Sequence, residues 1–176
     1  MCFDIFKAND NYVFESNKNA KAYMNKFGDM TKEEFRRTYT GLRMNTRRQS
    51  SVGRSFMYEN DTVVLPAMDW RQKGAITGVK NQGKCVSIEA AGQDFQFYSE
   101  GVFIESCGTK LDHRVGMVGY GTTDDGTKVL DSEELVGSRW GEQGYIRMQR
   151  DVSANKGLCG IAMEASYPIK ASPNLV

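Results

Sequence analysis

Glycine spacing in the second half of the chain is the feature that most limits what this sequence can fold into. Short apolar runs, 116–121 and 144–148, are bounded by glycines. Runs of this length between turn residues are typical of β-strands. Further turns are indicated around Trp140, where Gly137, Gly141 and Gly144 follow one another closely. We therefore predict a β structure rich in turns from Leu65 to Val176.

The first forty residues carry a helical pattern instead. Phe3, Phe6, Val13 and Asn17 lie near one stripe at helical spacing, with Asn9 between them. This spacing predicts an amphipathic helix at the start of the chain.

A second helix is predicted over about residues 31–40. Thr31 followed three residues later by Glu34 has the form of a capping box, which satisfies backbone donors at a helix start. Phe35 and Tyr39 follow at i, i+4 spacing, so their side chains would meet on one face.

Residues 41–64 are predicted to form a linker. From Arg36 to Arg54, both included, there are six arginines and no acidic residue. Such a run can form a basic docking patch, but a solvated connector is the favoured interpretation. Asn60 begins an Asn-Asp-Thr glycosylation sequon, which matters only if the chain is secreted.

Composition excludes several classes of function. The 176 residues are 40% hydrophobic and carry a net charge of +1, so a packed core is expected, while nucleic acid and membranes are not expected partners. No apolar run is long enough to span a bilayer, and the first ten residues do not have the pattern of a signal peptide. The chain has one histidine and no C-x-x-C pair, so we predict neither a metal site nor a cofactor.

Several short motifs follow one another in order along the chain. They are LPAMDWR at 65–71, VKNQGKC at 79–85, LDH at 111–113, VGYG at 118–121, WGEQGYIR at 140–147 and CGIA at 159–162. Together they resemble the motifs of papain-like cysteine protease precursors, nearest to the plant vacuolar or KDEL-tailed endopeptidases. The resemblance implies an α+β chain in which an incomplete antiparallel barrel remains and the left-hand helical subdomain is largely missing.

The helical part resembles the inhibitory propeptide of the same family, of the I29 type. Phe6, Asn9, Val13 and Asn17 follow the spacing of its helix motif, and NKFGD at 25–29 matches its second motif. In that family the propeptide blocks the cleft until it is removed. The implied organisation is a propeptide-like region at 1–40, a linker at 41–64 and a truncated peptidase domain at 65–176.

The resemblance identifies a base but no ordinary nucleophile. His113 stands at the position of the family's histidine, and Gln82 stands at the oxyanion position. The family's C-G-[SA]-C-[WY] signature is broken, because Cys85 aligns with its first cysteine and is followed directly by Val86. The block that carries the attacking cysteine is therefore expected to be missing. Cys85 remains a surrogate nucleophile, although an unpaired thiol is the favoured interpretation.

Two further positions depart from the family pattern. Glu134 stands where the family has the asparagine that orients the histidine, and a solvated acidic segment is favoured over a working orienter. Arg114 replaces a glycine beside His113 and is expected to crowd the cleft. The resemblance also implies a disulfide between Cys107 and Cys159.

The expected function is that of a cysteine endopeptidase family chain with little or no activity. The alternative is a propeptide-type inhibitor of related cysteine proteases. The partners would be a peptide or protein substrate, or a related protease. The compartment implied by the resemblance is the vacuole, the lysosome or the exterior, although the C-terminal sequence carries no retention signal.

Overall fold

The computed structural model describes residues 2–16, 21–40, 64–74, 85–105, 107–133 and 137–166. They form a mixed helix and sheet structure, which confirms the predicted α+β class. The helices are α1 (Cys2–Ser16), α2 (Lys32–Tyr39) and α3 (Gln93–Gln96), with a 3₁₀ turn at Leu158–Gly160. The strands are β1 (Lys21–Ala22), β2 (Met68–Asp69), β3 (Cys85–Ile88), β4 (Tyr98–Glu100), β5 (Val102–Phe103), β6 (His113–Thr122), β7 (Lys128–Glu133) and β8 (Tyr145–Gln149). No helix among these residues is both long and apolar enough to cross a bilayer.

Strand β6 is the centre of the larger sheet. On one edge it pairs antiparallel with β7, which pairs with β8, and β5 then lies parallel to β8. On the other edge β3 pairs along residues 113–116, and β2 pairs with Gly119 and Tyr120. Strands β2 and β3 therefore lie end to end along β6, and the described strands leave the sheet open.

The second predicted helix begins as its capping box requires. The Thr31 backbone N–H donates to Glu34 Oε2 over 2.8 Å, and the Glu34 N–H donates to Thr31 Oγ1 over 3.2 Å. Both bonds satisfy donors that have no partner inside a helix. The observed span, 32–39, confirms the predicted helix.

Helix α1 turns a different face inward than its apolar residues alone would suggest. Val13 is buried, but Phe3 is 74% exposed although spacing places it near the same stripe. The buried polar residue Asn9 fixes the helix instead, because its Nδ2 donates to the carbonyls of Gly28 and Met30, each over 2.9 Å. Asn9 can be buried because its amide hydrogens are paired with these two carbonyls.

Helix α2 and the segment before it share one hydrophobic core with the sheet, while Val13 of α1 lies in a smaller cluster with Ala22 and Phe97. Phe27 and Phe35 are fully buried in the same cluster as Trp140, Ile146 and Met148. Strand β1 also pairs antiparallel with β4, which adds backbone hydrogen bonds between the two parts. Residues on both sides of the predicted linker, 41–64, therefore pack in the same core, and the domain division itself stays a prediction.

Candidate active site around His113

His113 is the first residue of β6 and is only 5% exposed. The register places it opposite Ile88 of β3. Its ring centroid lies 6.0 Å from that of Phe95, and Phe95 in turn lies 4.7 Å from Trp140. The imidazole is therefore held at the edge of the aromatic core.

Asp112, which precedes the histidine, connects this site to the N-terminal helices. Its Oδ1 accepts a 2.8 Å hydrogen bond from the Ala90 N–H, and its Oδ2 lies 3.7 Å from Arg36 Nε of α2. Burial raises the pKa of the Asp112 carboxyl, although the hydrogen bond from the Ala90 N–H and the charge of Arg36 each act to lower this pKa. Helix α2 therefore places the Arg36 guanidinium beside Asp112, the residue that precedes His113.

The raised pKa of Asp112 predicts a specific pH dependence of stability. The folded chain binds this proton more tightly than the unfolded chain, so its contribution to the free energy of unfolding rises as pH falls from the raised pKa toward about 4. Asp112→Asn should remove this contribution while its side-chain oxygen still accepts from Ala90. We expect the difference in urea unfolding free energy, wild type minus variant, to grow as pH is lowered. A difference that shrinks on acidification would contradict the assignment.

Cys85 begins β3, and its Cα pairs with Gly116 of β6. Gly116 is three residues from His113, which corresponds to about 10 Å along an extended strand. The backbone at Cys85 is thus well separated from the backbone at His113. It also belongs to a strand, and the part of the chain that the structure describes places no helix N-terminus there.

Several other predicted positions lie outside the described residues. They are the oxyanion candidate Gln82, the orienter candidate Glu134, the glycosylation candidate Asn60, the helix-stripe residue Asn17 and all but the last residue of the predicted linker 41–64.

Arg114 does not crowd the imidazole itself, and its expected effect on the cleft stays a prediction. The residue is exposed while His113 and Val115 on either side of it are buried. Neighbouring side chains of a strand point to opposite faces of the sheet, so Arg114 lies on the face away from His113.

Cys107 and Cys159 are joined in a disulfide, with Cα atoms 4.9 Å apart and a sequence separation of 52. The Glu89 N–H donates to the Cys159 carbonyl over 2.9 Å, which ties the disulfide to the segment that follows β3. A closed loop of this length contributes roughly 2–4 kcal/mol to stability.

Sequence reasoning missed Gln96, which organises the polar contacts between the two parts of the chain. Its Nε2 donates to the carbonyls of Phe27 and Met30 over 3.2 and 3.3 Å. The Gln96 backbone carbonyl accepts a hydrogen bond from Asn25 Nδ2 over 2.8 Å and another from Trp140 Nε1 over 3.3 Å. Helix α3 has only four residues, too few for a periodic pattern to single out this glutamine.

An open pocket of about 320 Å³ lies between residues 23–26 and β4, away from His113. Its wall includes Lys26, Tyr98, Ser99 and Arg139, and it does not include the histidine. The candidate active site is therefore assigned from the resemblance of residues 111–113 to the family's histidine motif, and this pocket is not part of it.

Comparison with known sequences points to one family. The model of papain family cysteine proteases matches residues 86–169. Vignain from Ricinus communis is 34% identical over 290 aligned positions, which cover 98% of this chain and 81% of that protein. Cysteine endopeptidase RepA from Oryza sativa subsp. japonica is 34% identical over 292 positions, covering 96% of this chain and 77% of that protein.

Two of the similar solved structures are precursor forms. The proform of the Amb a 11 cysteine protease, a ragweed pollen allergen, superimposes with a TM-score of 0.86 at 25% identity, covering 96% of this chain and 86% of that chain. Recombinant stem bromelain precursor gives a TM-score of 0.84 at 26% identity, and the match covers 97% of this chain and 91% of that chain.

Proposed function

Because the chain belongs to the papain family of cysteine proteases, we propose that it is a member without peptidase activity. It keeps the propeptide-like helices and the histidine strand in one packed body, and it lacks a nucleophile that the histidine could activate. Peptide-bond hydrolysis is the chemistry of its relatives, and peptides would be its substrates if any activity remained.

The observation that carries the proposal is the register between β3 and β6. Thiol proteolysis needs a sulfur and an imidazole within hydrogen-bond reach, about 3.5 Å or less, when substrate is bound. Cys107 and Cys159 are consumed in the disulfide. Of the remaining two cysteines, Cys2 begins α1, and the Cα of Cys85 is three residues out of register with His113.

The local structure at Cys85 also argues against an activated thiol. Reactive cysteines owe their low pKa to a helix N-terminus or to an adjacent cation or imidazolium. Cys85 begins a strand instead, and it pairs with a glycine across the sheet. Within the described residues, this backbone setting has none of the helix N-terminus that lowers the pKa of reactive cysteines in such enzymes.

Alignment lengths support the loss of a central block. The alignment with vignain runs over 290 positions and the chain has 176 residues, so at least 114 positions of the relative have no counterpart here. The family match begins at Val86, directly after Cys85. Both observations support a missing segment at this junction, where the nucleophile and its helix would belong.

Labelling with an epoxide probe directed at papain-like active-site thiols tests the proposal. We expect no labelling at an enzymatic rate, and we expect the slow labelling that remains to be the same in the wild type and in His113→Ala. The matched pair is informative because an active thiol–imidazole pair loses reactivity when the imidazole is removed. Labelling or peptide cleavage that depends on both Cys85 and His113 would overturn the proposal.

The second candidate function is inhibition of a related protease by the N-terminal helices. The retained spacing of Phe6, Asn9 and Val13 favours it. Against it, Phe27 and Phe35 are already buried in this chain's own core, so they are not free to bind another enzyme. Titrating the full chain into an active papain-like protease decides the point, and a flat activity curve up to micromolar chain removes this candidate.

We also propose an oxidising compartment, vacuolar or extracellular, for this chain. Its support is the Cys107–Cys159 disulfide, since such bonds persist mainly where thiols are not kept reduced.

A further inference from the structure

The outward face of α1 carries two exposed aromatic rings that do not pack in the hydrophobic core. Phe3 is 74% and Phe14 is 81% exposed, and the charged residues Lys7 and Asp10 between them are exposed too. Single exposed rings are common on protein surfaces. Two large rings on one face of a fifteen-residue helix are a more specific feature, since contiguous apolar surface marks interaction sites.

The orientation of this face is fixed by the contacts on the opposite side of the helix. Asn9 is held by the carbonyls of Gly28 and Met30, and Val13 packs against Phe97. Tyr12 OH donates to Asp94 Oδ1 over 2.5 Å. Because these anchors hold α1 against the body, its outer residues form a rigid surface.

The four outer residues are arranged as a palindrome. At 100° per residue, Phe3, Lys7, Asp10 and Phe14 fall within an arc of about 60° on the helix. Their order is ring, cation, anion, ring, and the midpoint of both pairs lies between residues 8 and 9. A two-fold axis through that midpoint, perpendicular to the helix, exchanges the position of Phe3 with that of Phe14 and the position of Lys7 with that of Asp10.

We propose that α1 docks antiparallel on α1 of a second copy of this chain. In this arrangement Phe3 faces Phe14 of the second copy, and Lys7 faces Asp10 of the second copy. A two-fold interface must be self-complementary, and this stripe meets that condition in shape and in charge. The inference is independent of whether the chain has peptidase activity.

The charges also select the antiparallel orientation. A parallel pair of helices would place Lys7 opposite Lys7 and Asp10 opposite Asp10, and like charges facing each other are unfavourable. The antiparallel pair instead makes two symmetry-related ion pairs, bordered on each end by a contact between aromatic rings. Offset or edge-to-face ring contacts of this kind add to the burial of apolar area.

The expected dimer is weak. A fifteen-residue helix is about 22 Å long, so one helix pair buries less area than a standard protein interface. We therefore expect a dissociation constant on the order of 100 μM. Association at this strength requires measurement at high concentration.

Sedimentation velocity of the full chain, blocked with iodoacetamide to prevent intermolecular disulfides, tests the proposal between about 10 μM and 1 mM. We expect the wild type to sediment faster as concentration rises. Lys7→Glu alone and Asp10→Lys alone each convert both ion pairs into repulsive pairs and should weaken association about tenfold or more. The double variant K7E/D10K restores complementarity with reversed signs and should associate like the wild type.

Glu15→Lys is the matched control, because it makes the same charge change as Asp10→Lys on the same helix but outside the stripe. It should leave association unchanged, and circular dichroism should show that all variants keep the wild-type fold. Sedimentation as a monomer across the whole range would overturn the proposal. Association that is insensitive to K7E and D10K, or a double variant that stays monomeric, would also overturn it.

Discussion

Phe35→Ala is expected to lower the free energy of unfolding by about 3–5 kcal/mol. Phe35 is fully buried, and its ring centroid lies 5.0 Å from that of Phe27 and 5.6 Å from that of Tyr39. Removing the ring leaves a cavity where α2 meets the rest of the core. A loss of this size is a large share of the stability of a small domain, about 5–15 kcal/mol.

Urea unfolding followed by circular dichroism measures this effect, and Phe14→Ala is its matched control. Phe14 is the same residue type in the same N-terminal region, but it is 81% exposed, so at low micromolar chain its removal should change stability by less than about 0.5 kcal/mol. Equal effects of the two substitutions would mean that α2 is not part of the folded core. In that case the N-terminal region would be an appendage on an independently stable sheet.

Trp140→Ala should be at least as damaging, with a loss of about 3–5 kcal/mol from burial alone. Trp140 is fully buried, and its ring centroid lies 4.7 Å from that of Phe95 and 5.5 Å from that of Tyr98. Its Nε1 also donates to the carbonyls of Phe95 and Gln96 over 3.1 and 3.3 Å. The variant therefore loses ring packing and leaves buried carbonyls with fewer donors.

Trp140→Phe separates the two contributions. It keeps most of the ring packing but cannot donate, so we expect a loss of about 1–3 kcal/mol. Chemical denaturation monitored by far-ultraviolet circular dichroism compares the three proteins without depending on tryptophan fluorescence. If the phenylalanine variant were as unstable as the alanine variant, the indole hydrogen bonds rather than ring packing would dominate at this position.

Local signals in the sequence predicted the elements that depend on local physics. The capping box at Thr31 and Glu34 predicted the start of α2, because both hydrogen bonds join residues three apart. The glycine-bounded runs at 116–121 and 144–148 fall within or overlap β6 and β8. These features need no knowledge of the rest of the chain.

Contacts between distant segments could not be predicted in the same way. Arg36 lies near Asp112, and Gln96 donates to Phe27, yet no periodicity or spacing relates these positions. The burial of Asn9 in place of Phe3 has the same origin, because its hydrogen-bond acceptors are carbonyls about twenty residues away. Only the assembled core decides which side of α1 faces inward.

The same distinction between local and long-range features applies to the candidate site. His113 was identified from a short motif that resembles the family's histidine strand, and the structure places it at the start of β6. Its relation to Cys85 depends on the register between two strands, which the sequence does not contain. The predicted roles of His113 and Cys85 stay predictions that the probe experiment addresses, and the roles of Gln82 and Glu134 stay predictions as well.

The shared core also sets the order of events during synthesis on the ribosome. Phe27 and Phe35 are translated early, but their packing partners Trp140, Ile146 and Met148 emerge more than one hundred residues later. At ordinary elongation rates Phe27 and Phe35 lack these later partners for on the order of ten seconds. Nascent-chain factors that shield apolar segments therefore have their longest opportunity to act on the first forty residues of this protein.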